Sequence, residues 1–167
     1  FFILIFAIIM KLLANDLKKL ITKSNNIVIT THRGPDGDAM GSSLALYNLL
    51  QKDHNVTVIT PNDYASFLNW MPGNANVIEF IGNEDKCKAI TDNADLIFML
   101  DFNHLSRADK YAELLKQSNA KKVLIDHHQD PDKTIADLIF SDTSSSSTCP
   151  LLFEIIDFMG LADKLNK

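Results

Sequence analysis

The sequence predicts an α/β domain with a parallel β-sheet and helices on both faces. Apolar, β-branched runs alternate with helical segments along the chain, and this alternation is typical of right-handed βαβ units. The runs are almost wholly apolar, as expected of strands that are buried on both faces. With 167 residues, the chain is long enough for one domain with a substantial core. These observations favour a Rossmann-like architecture.

The elements are predicted in order from the periodicity of apolar residues. Helices are predicted at residues 11–23, 38–51, 67–70, 85–91, 108–118 and 150–159. Strands are predicted at residues 26–31, 56–60, 95–101, 122–126 and 138–140, with an extended or edge segment at 77–81. The polar run 141–148 is interpreted as an N-cap cluster for the last helix.

The first ten residues form an apolar run that lacks an initiating Met and a preceding basic region. Lys11 interrupts the run, whereas a transmembrane helix needs about 20 apolar residues and a signal peptide needs a positive n-region. We therefore predict that Met10 is the true start, that residues 1–9 are a non-native extension and that the domain spans 10–167. A membrane anchor is the minor alternative.

Composition and charge limit the kinds of nucleic acid that the chain is expected to bind, and they indicate its cellular compartment. The chain is 46% apolar and 22% charged with a net charge of −5, and its only arginines are Arg33 and Arg107. Long duplex nucleic acid usually requires a basic face, so a nucleic-acid substrate is expected to be short. Cys87 and Cys149 match no CxxC pattern, which favours free thiols in a reducing cytoplasm.

Three short segments place acids and imidazoles at the ends of predicted strands. They are residues 32–38 (His-Arg-Gly-Pro-Asp-Gly-Asp), Asp101 and residues 126–128 (Asp-His-His). The carboxyl ends of parallel strands form the ligand crevice of open α/β sheets. A purely structural interpretation would make Asp38 an N-cap and His32 a solvated strand end, and Asp101 alone is common at a strand end.

Taken together, the three segments favour a metal site. Asp36, Asp38, Asp101 and Asp126 would place up to four negative charges in one crevice, which is destabilising unless cations or protons neutralise them. Mixed His and Asp ligands fit Mn²⁺, with Fe²⁺, Co²⁺ or Zn²⁺ as alternatives, better than Mg²⁺. Two such cations can activate water and stabilise a phosphoryl group, so the pattern indicates phosphoester hydrolysis.

The motifs resemble the DHH phosphoesterase superfamily, which is named after the triplet at residues 126–128. The family motif HxxxDxD is matched at residues 32–38, and its lone second-motif Asp is matched by Asp101. Residues 35–43 and 146–149 most resemble the branch of oligoribonucleases that also dephosphorylate 3′-phosphoadenosine 5′-phosphate. The likeness extends from about residue 11 to the end and implies the DHH catalytic fold.

The resemblance also implies ligand sets. One metal would be held by His32, Asp36 and Asp101, and the other by Asp38, Asp101 and His127. Asp101 would bridge the two metals, with a water or hydroxide as the nucleophile.

The resemblance further implies roles for the remaining site residues. His128 would face the scissile phosphate and orient it or protonate the leaving oxygen, while Asp126 would fix an imidazole from outside the ligand shell. Arg107 would contact a substrate phosphate, although a surface Arg at a helix start is an equal alternative.

We therefore expect a hydrolase that converts short oligoribonucleotides (nanoRNA, linear dinucleotides) to 5′-nucleotides, or 3′-phosphoadenosine 5′-phosphate to AMP. A manganese-dependent inorganic pyrophosphatase and a non-catalytic nucleotide-binding module are the alternatives. No membrane partner is expected, and a homodimer is left open. Because the family's fourth-motif Asp and its C-terminal cap domain are unmatched, we expect this chain to be the truncated N-terminal part of the catalytic domain.

Overall fold

The computed structural model describes residues 2–165, and it describes side chains from residue 8 onward. One six-stranded sheet lies at the centre of the described chain, in the order β3-β2-β1-β4-β5-β6. Every neighbouring pair of strands is parallel. The strands are β1 Asn26–Thr30, β2 Asn55–Thr60, β3 Ile78–Glu79, β4 Leu96–Leu100, β5 Lys121–Asp126 and β6 Leu138–Ser141. The predicted parallel α/β fold is confirmed.

Helices cover both faces of the sheet, as predicted. They are α1 Phe2–Lys23, α2 Gly37–Leu50, α3 Glu84–Asp92, α4 Ala112–Gln117 and α5 Thr148–Phe158. Because side chains alternate along a strand, Ile27 and Ile29 of β1 pack in the same core cluster as α1, α2 and α5. Val28 points to the other face and packs with residues of α3 and α4.

Helix α1 is longer than the sequence predicts. It begins at Phe2 rather than at residue 11, and its residue Met10 is buried in the hydrophobic core. Ile8, Ile9 and Leu12 are exposed on its outer side. No helix within the described residues is long and apolar enough to cross a membrane. The interpretation of residues 1–9 as non-native stays a prediction.

The predicted helix at 108–118 is interrupted. A 3₁₀ segment spans Leu105–Tyr111, and α4 follows it. Asp109 has φ 50° and ψ −132°, which no helical residue adopts, so the chain changes direction there. The predicted short helix at 67–70 is likewise only a 3₁₀ turn at Ser66–Leu68.

The strand order creates a crevice in the middle of the sheet. From β1 the chain proceeds outward to β2 and β3, whereas from β4 it proceeds in the opposite direction to β5 and β6. The loops after β1 and β4 therefore diverge at the carboxyl edge, where open α/β sheets bind their ligands. The predicted site residues follow β1, β4 and β5, so they border this crevice.

Candidate metal centre

The loop after β1 carries the first group of polar residues. Gly34 has a left-handed φ of 59°, which suits a residue without a Cβ atom, and its N–H donates to Asn62 Oδ1 at 2.7 Å. Asp36 is the N-cap of α2, because its Oδ1 accepts from the N–H groups of Asp38 and Ala39 at 3.0 and 3.1 Å. The alternative in which Asp38 caps this helix is therefore wrong. The Oδ2 atom of Asp36 is not used in the cap.

His32 presents one ring nitrogen to the crevice. Its side chain is buried, and Nδ1 lies 2.8 Å from the carbonyl oxygen of Arg33. Since a carbonyl only accepts, Nδ1 carries the proton in the neutral ring, and Nε2 keeps its lone pair. Nε2 faces Asp101 Oδ2 at 3.5 Å. Burial lowers the pKa of His32, but hydrogen bonding to Asp101 and to the Arg33 carbonyl outweighs it, so the pKa is raised.

Asp101 lies between the loops that follow β1 and β5. It comes directly after β4 in a left-handed conformation, with φ 66°, which Asp tolerates better than most residues. Its N–H donates to Ile125 O at 3.0 Å. The buried carboxylate has two sides: Oδ2 faces His32, while Oδ1 faces His127 Nε2 at 3.6 Å. Oδ1 also accepts a hydrogen bond from the Thr148 hydroxyl at 2.8 Å.

The two histidines after β5 have different environments. Asp126 is fully buried, and it accepts from His128 Nδ1 at 2.7 Å and from the His128 N–H at 3.1 Å. Nδ1 of His128 is thus a donor to a carboxylate, which leaves its Nε2 available. His127 instead directs Nε2 toward Asp101 and toward Asp38 Oδ2, the latter at 3.8 Å. The two rings are tilted by 52° relative to each other, so the two imidazoles are oriented differently.

Asp38 is held by the last helix. Its Oδ2 accepts from the N–H of Thr148 at 2.7 Å, and its Oδ1 accepts from the N–H of Cys149 at 2.9 Å. Burial raises the pKa of Asp38, but these hydrogen bonds outweigh it, so the pKa lies below its usual value. Sequence reasoning missed these partners. It placed the cap of α5 in the run 141–148, whereas Ser147 makes no side-chain capping bond and Asp38 accepts the first N–H groups.

The distances fit shared cations. Ligand atoms of His32, Asp36 and Asp101 lie within 4.8 Å of one another, as do those of Asp101, His127 and His128. Two ligands that are each about 2.1 Å from one ion stand about 3–3.5 Å apart, close to the His32–Asp101 and His127–Asp101 separations of 3.5 and 3.6 Å.

The two groups differ in how well they match the expected ligand sets. The first coincides with the expected set of His32, Asp36 and Asp101. In the second, His128 stands in place of the expected Asp38, but its Nδ1 is committed to Asp126. Nε2 of His127, by contrast, faces both Asp101 Oδ1 and Asp38 Oδ2. Imidazole nitrogens with carboxylate oxygens form a donor set suited to a divalent cation.

Comparison with known proteins agrees with this geometry. Residues 26–167 match the family described as DHH family, N-terminal domain. The chain belongs to the DHH family. The matched segment includes every residue of the candidate metal centre.

Relatives of this DHH chain include hydrolases of phosphate esters. It is 26% identical over 165 residues to the cyclic-di-AMP phosphodiesterase GdpP of Bacillus subtilis, covering 93% of this chain and 25% of that protein. It is 28% identical over 144 residues to the bifunctional oligoribonuclease and PAP phosphatase NrnA of the same organism, covering 84% of this chain and 41% of that protein. The chain thus spans less than half the length of these relatives.

Solved structures support the same DHH fold. An exopolyphosphatase-related protein from Bacteroides fragilis superposes with a TM-score of 0.89 at 36% identity, over 92% of this chain and 45% of that chain. Exonuclease RecJ, in a structure described as bound to manganese, superposes with a TM-score of 0.52 at 14% identity, over 93% of this chain and 38% of that chain. The second likeness concerns the fold alone.

The only two arginines of the chain meet at the edge of the metal centre. The N–H of Arg33 donates to the carbonyl oxygen of Arg107 at 2.7 Å, and Arg33 directly follows His32. Arg33 is exposed and Arg107 is half-buried. Within residues 8–165, neither forms an ion pair with an acid. The predicted contact of Arg107 with substrate stays a prediction.

Proposed function

We propose that this DHH chain forms the metal-binding part of a two-metal phosphoesterase. The observation that carries the proposal is the Asp101 carboxylate, whose two oxygens face two different imidazoles, His32 and His127. This arrangement lets one carboxylate serve two cation positions. The presence of phosphodiesterases and a phosphatase among the relatives supports hydrolysis of a phosphate ester as the reaction.

The residues of the site would bind two cations at two separate positions. His32, Asp36 and Asp101 would hold one cation, and His127, Asp101 and Asp38 would hold the other. Such a cation pair lowers the pKa of a bound water and stabilises charge on a phosphoryl group.

The remaining polar groups would act on the substrate. His128, whose Nδ1 is held by Asp126, presents Nε2 as the proton donor or acceptor for the substrate oxygen. Arg107, with Arg33 beside it, would bind a substrate phosphate.

The proposed substrates are short oligoribonucleotides, linear dinucleotides and 3′-phosphoadenosine 5′-phosphate. With a net charge of −5, the chain offers little electrostatic attraction to long nucleic acid, so substrate charge would be balanced locally by the cations and the two arginines. The similarity to NrnA supports this choice. A cytoplasmic location belongs to the same proposal, because both cysteines are free thiols.

Cyclic di-AMP is the second candidate substrate. The similarity to GdpP extends over 93% of this chain, and hydrolysis of a cyclic dinucleotide would use the same phosphodiester chemistry. The proposed cations would act on the phosphate group of either dinucleotide, so the candidate metal centre by itself does not favour the linear over the cyclic form.

One assay tests the proposal and the choice of metal. The full-length protein, stripped of metal, is supplied with Mn²⁺ or Mg²⁺ and offered a linear diadenylate, 3′-phosphoadenosine 5′-phosphate, cyclic di-AMP or pyrophosphate. We expect Mn²⁺ to restore hydrolysis of the linear dinucleotide better than Mg²⁺, because imidazole ligands favour the softer cation. Equal restoration by Mg²⁺ would contradict the metal assignment, and hydrolysis of pyrophosphate alone would contradict the substrate class.

A further inference from the structure

The proposed cation position formed by His127, Asp101 Oδ1 and Asp38 is called the β5-side position. The first turn of α5 contacts both of its carboxylates. Thr148 is fully buried; its hydroxyl donates to Asp101 Oδ1, and its N–H donates to Asp38 Oδ2. The next N–H, from Cys149, donates to Asp38 Oδ1. Three hydrogen bonds from two consecutive residues therefore fix the orientation of two acidic side chains that are distant in sequence.

These donors also supply positive charge where the site needs it. The first N–H groups of a helix have no partner inside the helix, and the N-terminus of a helix carries a partial positive charge. Asp101 lies close to Asp36, and Asp38 and Asp101 both face His127 Nε2, so carboxylates are concentrated in this crevice and their charges repel one another. The start of α5 offsets part of this repulsion and keeps both carboxylates directed into the crevice.

The hydrogen bonds leave room for a cation. Each carboxylate oxygen accepts about two bonds, so Asp38 Oδ2 keeps a lone pair after bonding Thr148, and Asp101 Oδ1 does as well. Both oxygens face His127 Nε2, at 3.8 and 3.6 Å. The turn therefore orients the ligands without occupying the position between them.

Close packing of α2 against α5 brings this turn into reach. Gly41 lies one turn after Asp38, and a Cβ atom added there would stand 3.2 Å from Cys149 Sγ. A side chain at position 41 would therefore require Cys149 Sγ, or the first turn of α5 that carries it, to shift by a few tenths of an ångström. A Cβ atom added at Gly37, on the same helix, meets nothing within 4 Å.

We propose that Thr148 is a positioning residue, which sets the Asp101 and Asp38 carboxylates for the β5-side cation. The inference rests on the proposed two-metal site and concerns only one of its two positions. The β1-side position, formed by His32, Asp36 and Asp101 Oδ2, has no contact with α5 in this set of hydrogen bonds. The Thr148 hydroxyl bonds Asp101 Oδ1, the oxygen on the β5 side, so its loss is expected to weaken cation binding at the β5-side position more than at the β1-side position, which shares Asp101.

Calorimetric titration of the metal-free, full-length protein with Mn²⁺ tests the inference without any substrate. Thr148→Val keeps the size of the side chain and removes the hydroxyl, and we expect about 10–100-fold weaker binding of one Mn²⁺. Thr148→Ser, which keeps the hydroxyl, should bind nearly as the wild type does. Thr134→Val is the matched control, since its hydroxyl also donates to a carboxylate, Asp132 Oδ1 at 2.6 Å, but at an exposed site.

The outcomes separate the inference from the proposed function. If the wild type binds no Mn²⁺, the proposed function is wrong. If the wild type binds two Mn²⁺ and Thr148→Val binds both within twofold of it, the inference alone is wrong. Reduced binding in Thr134→Val as well would also overturn it, because the effect would then be general.

If Thr148→Val fails to fold, a second set of variants tests how the position of the first turn of α5 affects Mn²⁺ affinity at the β5-side position. Gly41→Ala is expected to weaken the β5-side Mn²⁺, Gly37→Ala is not, and the double variant Gly41→Ala/Cys149→Ala is expected to regain affinity because the Sγ atom has been removed. Unchanged binding in Gly41→Ala would overturn the inference.

Discussion

The two sides of Asp101 are built in different ways. On the β1 side, His32 and Asp36 belong to one loop, and they bond backbone groups that lie one to three residues further along the chain. On the β5 side, Asp38 is held by α5, more than 100 residues away in sequence. The comparison shows that one half of the centre is a local structure, whereas the other depends on the tertiary docking of a helix.

The two sides also differ in the ligands that remain free. Asp36 uses only Oδ1 in its cap, so Oδ2 is available. Both oxygens of Asp38 already accept N–H groups. We therefore expect the β1 side to bind its cation more tightly than the β5 side.

The largest effect is expected at the residue that both sides share. Asp101→Ala removes a ligand from each position, so we expect kcat/KM of the full-length protein to fall at least about 1,000-fold, or roughly 4 kcal/mol in barrier. The measurement is hydrolysis of a linear dinucleotide, with circular dichroism to check folding. Asp85→Ala, on the exposed surface of α3, is the control. Activity within about tenfold of wild type would remove Asp101 from the mechanism.

Separate loss of each imidazole tests the difference between the sides. In Mn²⁺ titrations, His32→Ala is expected to abolish the tighter class of binding, while His127→Ala should abolish the weaker class and leave the tighter one. The reason is that each ring faces a different oxygen of Asp101. If His127→Ala removes the tighter class instead, the order of affinities is the reverse of the one inferred here.

Substitution of Asp126 is expected to have a smaller and more specific effect, on kcat and not on cation binding. Asp126→Asn keeps the size of the side chain but removes the charge that orients His128 Nδ1. We expect kcat to fall about 10–100-fold while calorimetric Mn²⁺ binding on the β1 side is unchanged. Full activity in this variant would argue against proton transfer by His128. Asp142→Asn, which changes an Asp whose side chain accepts hydrogen bonds from Ser144 in its own loop, is the control.

The smallest expected effect is an opposite pH dependence of stability in the metal-free protein. The pKa of His32 is raised from 6.5, so its contribution is complete below that pH and is lost as pH rises through the raised value. The pKa of Asp38 is lowered from 3.8, so its contribution is present above that pH and is lost as pH falls through the lowered value. Urea unfolding of His32→Gln and Asp38→Asn across pH should therefore show destabilisation that shrinks at high and at low pH, respectively. Parallel pH profiles would contradict this difference.

The sequence predicted the local features of the molecule better than the tertiary ones. β-Branched runs identified the strands, and the motif at residues 32–38 pointed to the loop whose His32 and Asp36 the structure brings close to Asp101. The break at Asp109 was not predicted, since no Gly or Pro marks it and only the structure shows its φ of 50°. The capping of α5 by Asp38 was not predicted either, because nothing in local sequence pairs a helix start with a carboxylate from another loop.

The origin of the site in three separate strand ends has a consequence for folding. The strands β1, β4 and β5 are not joined by short turns, and the N–H of Asp101 bonds to Ile125 of the next strand, so the ligand cluster exists only once the middle of the sheet has assembled. An unfolded chain has no equivalent cluster, and a cation that binds only the native state shifts the folding equilibrium by mass action, by about 2.7 kcal/mol at 100 times its dissociation constant. The supply of metal would then also affect how long the chain survives proteolysis.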